Sequence, residues 1–148
     1  MYEPNTHPDR ITIDLDIITD FVKKAHAGQT RRDGITPYFD HVMSVFARVA
    51  NAGLSEAHQA VALIHDTLED TNTTSDDLRR LGVPEDIIES VIAISHYDNE
   101  PNVVYWARVK DNKMAREVKH HDIMDNLQDN PTPRQQEKYA KALAFFAA

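Results

Sequence analysis

The chain of 148 residues contains no cysteine, and it has no long apolar run. Without thiols it can form no disulfide bond and offer no thiolate to a metal, so any metal site must use His, Asp or Glu. No apolar run reaches the roughly 20 residues that cross a bilayer, and the N-terminal MYEPNTHPDR lacks the apolar core of a secretory signal. We therefore expect a cytoplasmic protein with no membrane partner.

Positive charge is also scarce, because 16 Lys and Arg residues stand against 24 Asp and Glu residues and give a formal net charge of -8. This sign opposes sequence-independent binding to a nucleic-acid backbone, so we expect no nucleic-acid polymer as a partner. A small anionic substrate would be repelled as well unless basic residues cluster near its site.

Few segments alternate β-branched and polar residues, and the chain has only four glycines, a pattern that favours helices over strands. Helical spacing and end signals predict the following segments: about 14–27, 38–51, from the Ser55 cap to about Asp70, a short helix ending at Gly82, one from Pro84, 103–110, 114–127 and about 132–148. No internal repeat is evident. The expected fold is all-α, a single domain over 1–148 with a motif-bearing core at about 14–128 and a C-terminal helix at about 132–148.

The stretch AVALIHDTLEDT begins as a core helix and then places His65, Asp66, Glu69 and Asp70 within six positions. Isolated buried charges are too costly to keep unless they are paired or bind a metal. Acidic groups at a helix C-terminus also oppose the helix dipole. A solvated acidic helix end capped by His65 is the simpler interpretation of a His-Asp pair, but this crowding favours a compensating cation.

Two other segments carry groups of the same kind. TPYFDHV places His41 on the first turn of a helix, and VKHHDIMDNL places Asp122 and Asn126 four residues apart on one helix face. Asp125 and two histidines lie in the same late segment. Spacing alone therefore leaves the choice of ligand there open.

Three blocks, AHAGQTRRDGITPYFDHV, ALIHDTLEDT and VKHHDIMDNL, follow one another in the order His, His-Asp, Asp. This pattern resembles the HD superfamily of metal-dependent phosphohydrolases. The blocks are similar to the hydrolase domain of RelA/SpoT-type proteins and to small alarmone hydrolases, over about residues 20–128. The resemblance implies an HD-type helical bundle and a (p)ppGpp 3′-pyrophosphohydrolase that releases pyrophosphate.

The resemblance also implies a role for individual residues. The implied metal ligands are His41, His65, Asp66 and Asp122. The implied catalytic pair, which orients and activates the attacking water, is Glu69 and Asp70. The implied substrate contacts are Arg31, Arg32, Tyr38 and Asn126. The resemblance favours Mn²⁺ as the cofactor, and the ligand set leaves Fe²⁺ and Zn²⁺ as alternatives.

The late motif departs from the family's usual KLADRLHN, because His120, His121 and Asp125 replace the commoner residues. This difference bears on the substrate, so hydrolysis of another nucleotide or phosphorylated metabolite is a rival function. A rival of another class is a non-catalytic nucleotide-binding or sensor module. The C-terminal ALAFFAA either closes the core or pairs with another copy of the chain, which would make a homo-oligomer.

Other side chains receive simpler interpretations. His26 is expected to be structural, bonding the nearby loop, and His7, His58 and His96 are expected to be ordinary surface residues. A contribution to the pocket remains open for Tyr105, Trp106, Lys119, His120 and His121, and for Tyr105 and Trp106 packing in the core or at the surface is the alternative.

Overall fold

The computed structural model describes residues 13–148, so His7 lies outside the described residues. The described residues form nine helices: α1 (Leu15–Ala25), α2 (Tyr38–Asn51), α3 (Glu56–Ile64), α4 (Thr67–Asp70), α5 (Ser75–Arg80), α6 (Glu85–Ile94), α7 (Asn102–Asp111), α8 (Lys113–Leu127) and α9 (Pro133–Ala147). Over the same range, β geometry is confined to an isolated bridge between Thr30 and Pro37. The predicted all-α class is confirmed.

Side-chain caps explain why several helices begin where the sequence predicted. Asp14 accepts the backbone N–H groups of the first turn of α1. Thr74 and Thr132 each form a capping box with the residue three positions later, at the starts of α5 and α9. These contacts satisfy amides that the first turn of a helix leaves unpaired, so local sequence fixes the boundary.

The single helix predicted from the Ser55 cap to Asp70 is wrong, because the chain breaks at His65 and Asp66 into α3 and α4. The His65 Nδ1 lies 2.6 Å from the Ala62 carbonyl oxygen, and the Thr67 hydroxyl donates to the Ile64 carbonyl at 2.9 Å. These side chains compete with backbone amides for the last carbonyls of α3. Adjacent residues of a continuous helix point about 100° apart, whereas the break brings His65 and Asp66 to one point.

Helix α3 is the centre of the bundle. All five of its residues from 60 to 64 are fully buried, and the helix packs against α1, α2, α6 and α8. A helix that is apolar on every side is buried on every side, which explains the core-like start of the AVALIHDTLEDT stretch. The ionisable residues that follow are therefore delivered from the core to one end of the bundle.

Helix α9 packs across α7 and α8 at the C-terminal end of the chain. Ala142 is buried, and the ring of Phe145 lies 5.9 Å from that of Trp106. The ALAFFAA segment thus closes the core of its own chain, and a homo-oligomer stays a prediction. Between residues 13 and 148, no helix has both the length and the apolar character needed to cross a membrane. The cytoplasmic location stays a prediction as well.

Because α3 lies at the centre of the bundle, we expect truncation of its buried side chains to lower the free energy of unfolding. Val61 is fully buried in α3, whereas Val103 on α7 is 58% exposed. Val61→Ala removes two methyl-sized groups from a packed site, so we expect it to lower the free energy of unfolding by about 1–3 kcal/mol. The matched Val103→Ala change should stay within about 0.5 kcal/mol of the parent protein. Urea unfolding measures both values, and equal effects of the two changes would contradict the burial of α3.

Candidate metal centre

Three parts of the fold bring the four predicted metal ligands together. His41 lies on the first turn of α2, His65 and Asp66 lie at the break between α3 and α4, and Asp122 lies on α8. One ligand atom from each of the four residues lies within 4.8 Å of the other three. His41 and Asp122 are 81 residues apart in sequence, so the cluster is a product of the tertiary fold.

Both imidazoles of the cluster point Nε2 at the same carboxylate oxygen. The Oδ1 atom of Asp122 lies 2.8 Å from the Nε2 of His41 and 3.3 Å from the Nε2 of His65. The Nε2 of His65 also lies 3.0 Å from the Oδ2 of Asp66. His41, His65 and Asp122 are buried, and Asp66 is half-buried. Water therefore has limited access to this concentration of charge.

The hydrogen bond at the other nitrogen of His65 decides which of its nitrogens carries a proton. The Ala62 carbonyl oxygen only accepts, so Nδ1 of His65 donates to it and Nε2 presents a lone pair to the cluster when the ring is neutral. A lone pair facing carboxylate oxygens is stable only with a positive charge between them, either a proton or a metal ion. Two imidazoles and two carboxylates form a donor set that suits a divalent first-row metal.

The ionisation of the cluster also favours a cation. Burial by itself lowers the pKa of His65, but the carboxylates of Asp66 and Asp122 outweigh burial and raise it well above its ordinary value. Burial by itself raises the pKa of Asp122, but the charges of Lys119 and His65 hold it well below its ordinary value. The carboxylates are therefore ionised and attract positive charge into the space between the rings.

The predicted catalytic pair lies on α4, next to this cluster. Oxygen atoms of Asp66, Glu69 and Asp70 lie within 4.8 Å of one another. The Oε1 of Glu69 accepts the backbone N–H of His96 at 2.6 Å. Partial burial raises the pKa of Glu69, and the neighbouring charges of Asp66 and Asp70 add to that rise. Glu69 and Asp70 keep solvent exposure, so both can reach a water molecule.

Tyr38, a predicted substrate contact, touches the cluster instead of standing apart from it. Its hydroxyl donates to the Oδ2 of Asp66, and its ring lies 5.5 Å from the ring of His41. Tyr38 also lines the cavity beside the cluster. The residue therefore orients an acidic side chain of the cluster, and its contact with substrate stays a prediction.

The other predicted substrate residues join the 29–37 loop to the junction of α8 and α9. The Arg31 guanidinium lies 2.6 Å from the carboxylate of Asp129 and donates to the Oδ1 of Asn126 at 3.1 Å. The Arg32 guanidinium donates to the backbone carbonyls of Asp129 and Asn130 at 2.8 and 3.2 Å. Both cations already have protein acceptors, and their role in substrate binding stays a prediction.

A cavity of about 190 Å³ opens beside the cluster. The predicted residues in its wall are Tyr38, Asp66, Glu69, Asp70, Asp122 and Asn126. Tyr105, Trp106 and Lys119, whose contribution the sequence left open, also line it. Its wall further includes residues that sequence reasoning missed, namely His96, Asn102, Lys138 and Tyr139. A second cavity of about 210 Å³ holds Arg31 and Arg32 and shares Tyr38, Asn126 and Tyr139 with the first.

The remaining histidines lie in different environments. The expectation that His96 is an ordinary surface residue is wrong, because it lines the cavity and its ring stacks on Tyr105 with centroids 4.4 Å apart. His26 is structural as expected, since its Nδ1 lies 2.8 Å from the Oε1 of Gln29. His120 and His121 line a separate apolar groove.

A sequence model of the HD domain family matches residues 19–143, a span that contains the whole cluster. The chain belongs to the HD domain family. This HD domain is 38% identical over 60 residues to a guanosine-3′,5′-bis(diphosphate) 3′-pyrophosphohydrolase of Aquifex aeolicus, a match that covers 40% of this chain and 8% of the relative. It is 40% identical over 78 residues to a GTP pyrophosphokinase of Myxococcus xanthus, covering 51% of this chain and 10% of the relative.

The match to these relatives is therefore local, because the HD domain spans about a tenth of their length or less. A solved structure, described as that of a metazoan ortholog of SpoT that hydrolyzes ppGpp, resembles this HD domain with a TM-score of 0.70 and 22% sequence identity. That similarity covers 93% of this chain and 85% of the other. The similarity confirms the predicted HD-type helical fold.

Proposed function

We propose that this HD domain is a metal-dependent phosphohydrolase that acts on a nucleotide. The observation that carries the proposal is the convergence of four ligand atoms within 4.8 Å beside an open cavity with two further carboxylates in its wall. The proposed substrate is (p)ppGpp, from which the enzyme removes the 3′-diphosphate as pyrophosphate. The relative from Aquifex aeolicus is named as a hydrolase of this compound, and the metazoan protein of known structure is described as one that hydrolyzes ppGpp, which supports this substrate.

The proposed metal ligands are His41, His65, Asp66 and Asp122, and the proposed ion is Mn²⁺, with Fe²⁺ and Zn²⁺ as alternatives. A set of two imidazoles and two carboxylates suits any of these ions. When bound, the divalent cation supplies Lewis-acid polarisation of a phosphoryl oxygen and a lower pKa for the attacking water.

Glu69 and Asp70 are the proposed proton acceptors for the attacking water. A general base works best when its pKa approaches the operating pH, and the pKa of each of these carboxyls is raised by partial burial and by the nearby charge of Asp66. The backbone N–H of His96 holds the Oε1 of Glu69, which leaves its other oxygen for a water molecule. The short helix α4 thus places the carboxylates of Glu69 and Asp70 in the wall of the cavity.

Cations in the two cavities offset the negative charge that would otherwise repel a phosphorylated substrate. Lys119 lies 2.9 Å from the Oδ2 of Asp122, so its charge is already shared with the cluster. Lys138 lines the same cavity, and within residues 13–148 its Nζ contacts the ring of Tyr139, 4.8 Å from the ring centre, and no carboxylate. The two cavities share a wall, so one substrate can extend from the first cavity into the second. We place its phosphates near Lys138 in the first cavity and its nucleoside toward Arg31 and Asn126 in the second.

Two other functions compete with this proposal. Another nucleotide or phosphorylated metabolite would use the same metal centre with a different fit to the cavities. A non-catalytic sensor would bind a nucleotide without needing Glu69 and Asp70 beside the cluster, so their presence favours an enzyme. We propose a cytoplasmic location for this enzyme.

Incubation of the purified protein and Mn²⁺ with a nucleotide panel tests the proposal directly. We expect (p)ppGpp to yield GDP or GTP together with pyrophosphate and no orthophosphate, as measured by anion-exchange chromatography. Turnover of other nucleotides with (p)ppGpp left intact would reject the alarmone substrate and keep the hydrolase. Binding of nucleotide without any turnover would favour the sensor.

A further inference from the structure

We infer that Asp125 is a positioning residue that holds His41 as its Nδ1–H tautomer, so that the Nε2 of His41 faces the metal cluster. The inference rests on the metal centre of the proposed function and adds a residue to it. The Oδ2 of Asp125 lies 2.7 Å from the Nδ1 of His41, while the Nε2 of the same ring lies 2.8 Å from Asp122.

The geometry separates the roles of the two carboxylates that sequence spacing could not distinguish. Asp122 and Asp125 both lie on α8, but they contact opposite edges of the His41 ring. Asp125 is not among the residues whose ligand atoms gather within 4.8 Å of one another. Its carboxylate therefore acts on the imidazole of His41 and not on the ion itself.

Side chains of α2 hold Asp125 in place. The hydroxyl of Ser44 donates to the Oδ1 of Asp125, and the Nε of Arg48 donates to the same oxygen at 3.0 Å. Ser44 and Arg48 follow His41 by three and seven residues, so all three side chains lie on one face of α2. One oxygen of Asp125 is thus occupied by these donors, and the other is left for His41.

The consequence for metal binding follows from the chemistry of imidazole. A neutral imidazole carries one N–H, and a carboxylate at Nδ1 fixes that proton there, which leaves the Nε2 lone pair for a metal. A carboxylate partner also increases the basicity of the ligating nitrogen. His65 obtains the same orientation from the backbone carbonyl of Ala62, which no substitution removes. Asp125 is therefore the orienting group that mutation can remove.

The test compares Mn²⁺ affinity in the parent protein, in Asp125→Ala and in Glu117→Ala, by competition with a chelating dye. Glu117 is a matched control, since it lies on the same helix and contacts a histidine, His58, at 3.3 Å outside the cavity. We expect Asp125→Ala to weaken Mn²⁺ binding by about 10- to 100-fold, as loss of such a partner typically does, and Glu117→Ala to bind as the parent does.

Nitrogen-15 spectra of the metal-free proteins at alkaline pH provide a second readout. The carboxylates of Asp125 and Asp122 face Nδ1 and Nε2 of His41 at 2.7 and 2.8 Å, so in the metal-free parent we expect the proton to be shared between the two nitrogens. In Asp125→Ala we expect the proton to lie on Nε2 alone. A merely structural role would lower stability without moving either the tautomer or the affinity. If the alanine variant does not fold, Asp125→Asn keeps the shape and should bind Mn²⁺ severalfold more weakly, because a neutral amide is a weaker acceptor.

The outcomes separate this inference from the proposed function. Parent protein that binds none of Mn²⁺, Fe²⁺ and Zn²⁺ would overturn the metal centre and this inference together. Parent protein that binds Mn²⁺, with folded Asp125 variants of equal affinity and unchanged tautomer, would overturn the role of Asp125 alone.

Discussion

Replacing Asp122 with alanine is expected to abolish metal binding and hydrolysis together. The Oδ1 of Asp122 lies against the Nε2 atoms of both His41 and His65, so its loss removes a carboxylate that contacts both rings. Metal-ion catalysis contributes several kcal/mol of transition-state stabilisation. Since about 1.4 kcal/mol corresponds to a factor of ten in rate, we expect turnover to fall by about 10³-fold or more.

Elemental analysis of the purified variant and its turnover of (p)ppGpp measure the two losses. The alanine change also leaves the partly buried ammonium group of Lys119 without its partner at 2.9 Å, which is destabilising. Asp122→Asn keeps the side-chain shape, so we expect it to be more stable than Asp122→Ala, and both variants are measured. Asp111→Ala, an exposed change at the end of α7, should leave both readouts unaltered. A folded Asp122→Asn protein with full metal content and full turnover would contradict the proposed centre.

Glu69→Gln is expected to lower kcat by about 10²- to 10⁴-fold, which is the contribution that general-base catalysis typically makes. Its metal affinity is expected to stay close to that of the parent. Glu69 is not one of the four proposed ligands, and glutamine still offers an oxygen to the His96 N–H. The base must be deprotonated to act, so the parent rate should fall as pH falls through the raised pKa of Glu69. In the rate–pH profile of the Glu69→Gln variant, this fall in rate at acidic pH should be absent.

Rate–pH profiles and Mn²⁺ titrations of the parent, Glu69→Gln and Asp70→Asn proteins measure these effects. A larger loss of kcat in Asp70→Asn than in Glu69→Gln would assign the base to Asp70. Exposed Glu89 on α6 offers the matched change Glu89→Gln, which should leave the profile unchanged. Equal kcat in parent and Glu69→Gln, or a parallel loss of metal, would reject Glu69 as the base.

Helix boundaries were predictable wherever local chemistry sets them. α2 spans Tyr38–Asn51 as its apolar spacing predicts, and the Thr132 cap starts α9. The break between α3 and α4 was not predictable from periodicity, because the apolar pattern runs straight into His65. The break depends on side-chain bonds from His65 and Thr67 to backbone carbonyls, and a helix-period pattern does not report such bonds.

The candidate site divides in the same way. The family resemblance predicted all four residues of the cluster because they lie within the three sequence motifs that carry the resemblance. His96 and Lys138 gave no such signal, since only the packing of the α6–α7 connection and of α9 brings them to the cavity. Asp125 was visible as a carboxylate near Asp122, but its partners Ser44 and Arg48 come from a helix about 80 residues earlier. Its role needed the fold.

The separation of the four cluster residues along the chain has a thermodynamic consequence. A bound cation would connect the early, middle and late parts of the polypeptide through His41, the His65–Asp66 pair and Asp122. The unfolded chain does not hold these ligands together. By mass action, an ion present at 100 times its dissociation constant adds about 2.7 kcal/mol to the free energy of unfolding. The metal concentration would then set the fraction of folded protein, in addition to whether the protein turns over substrate.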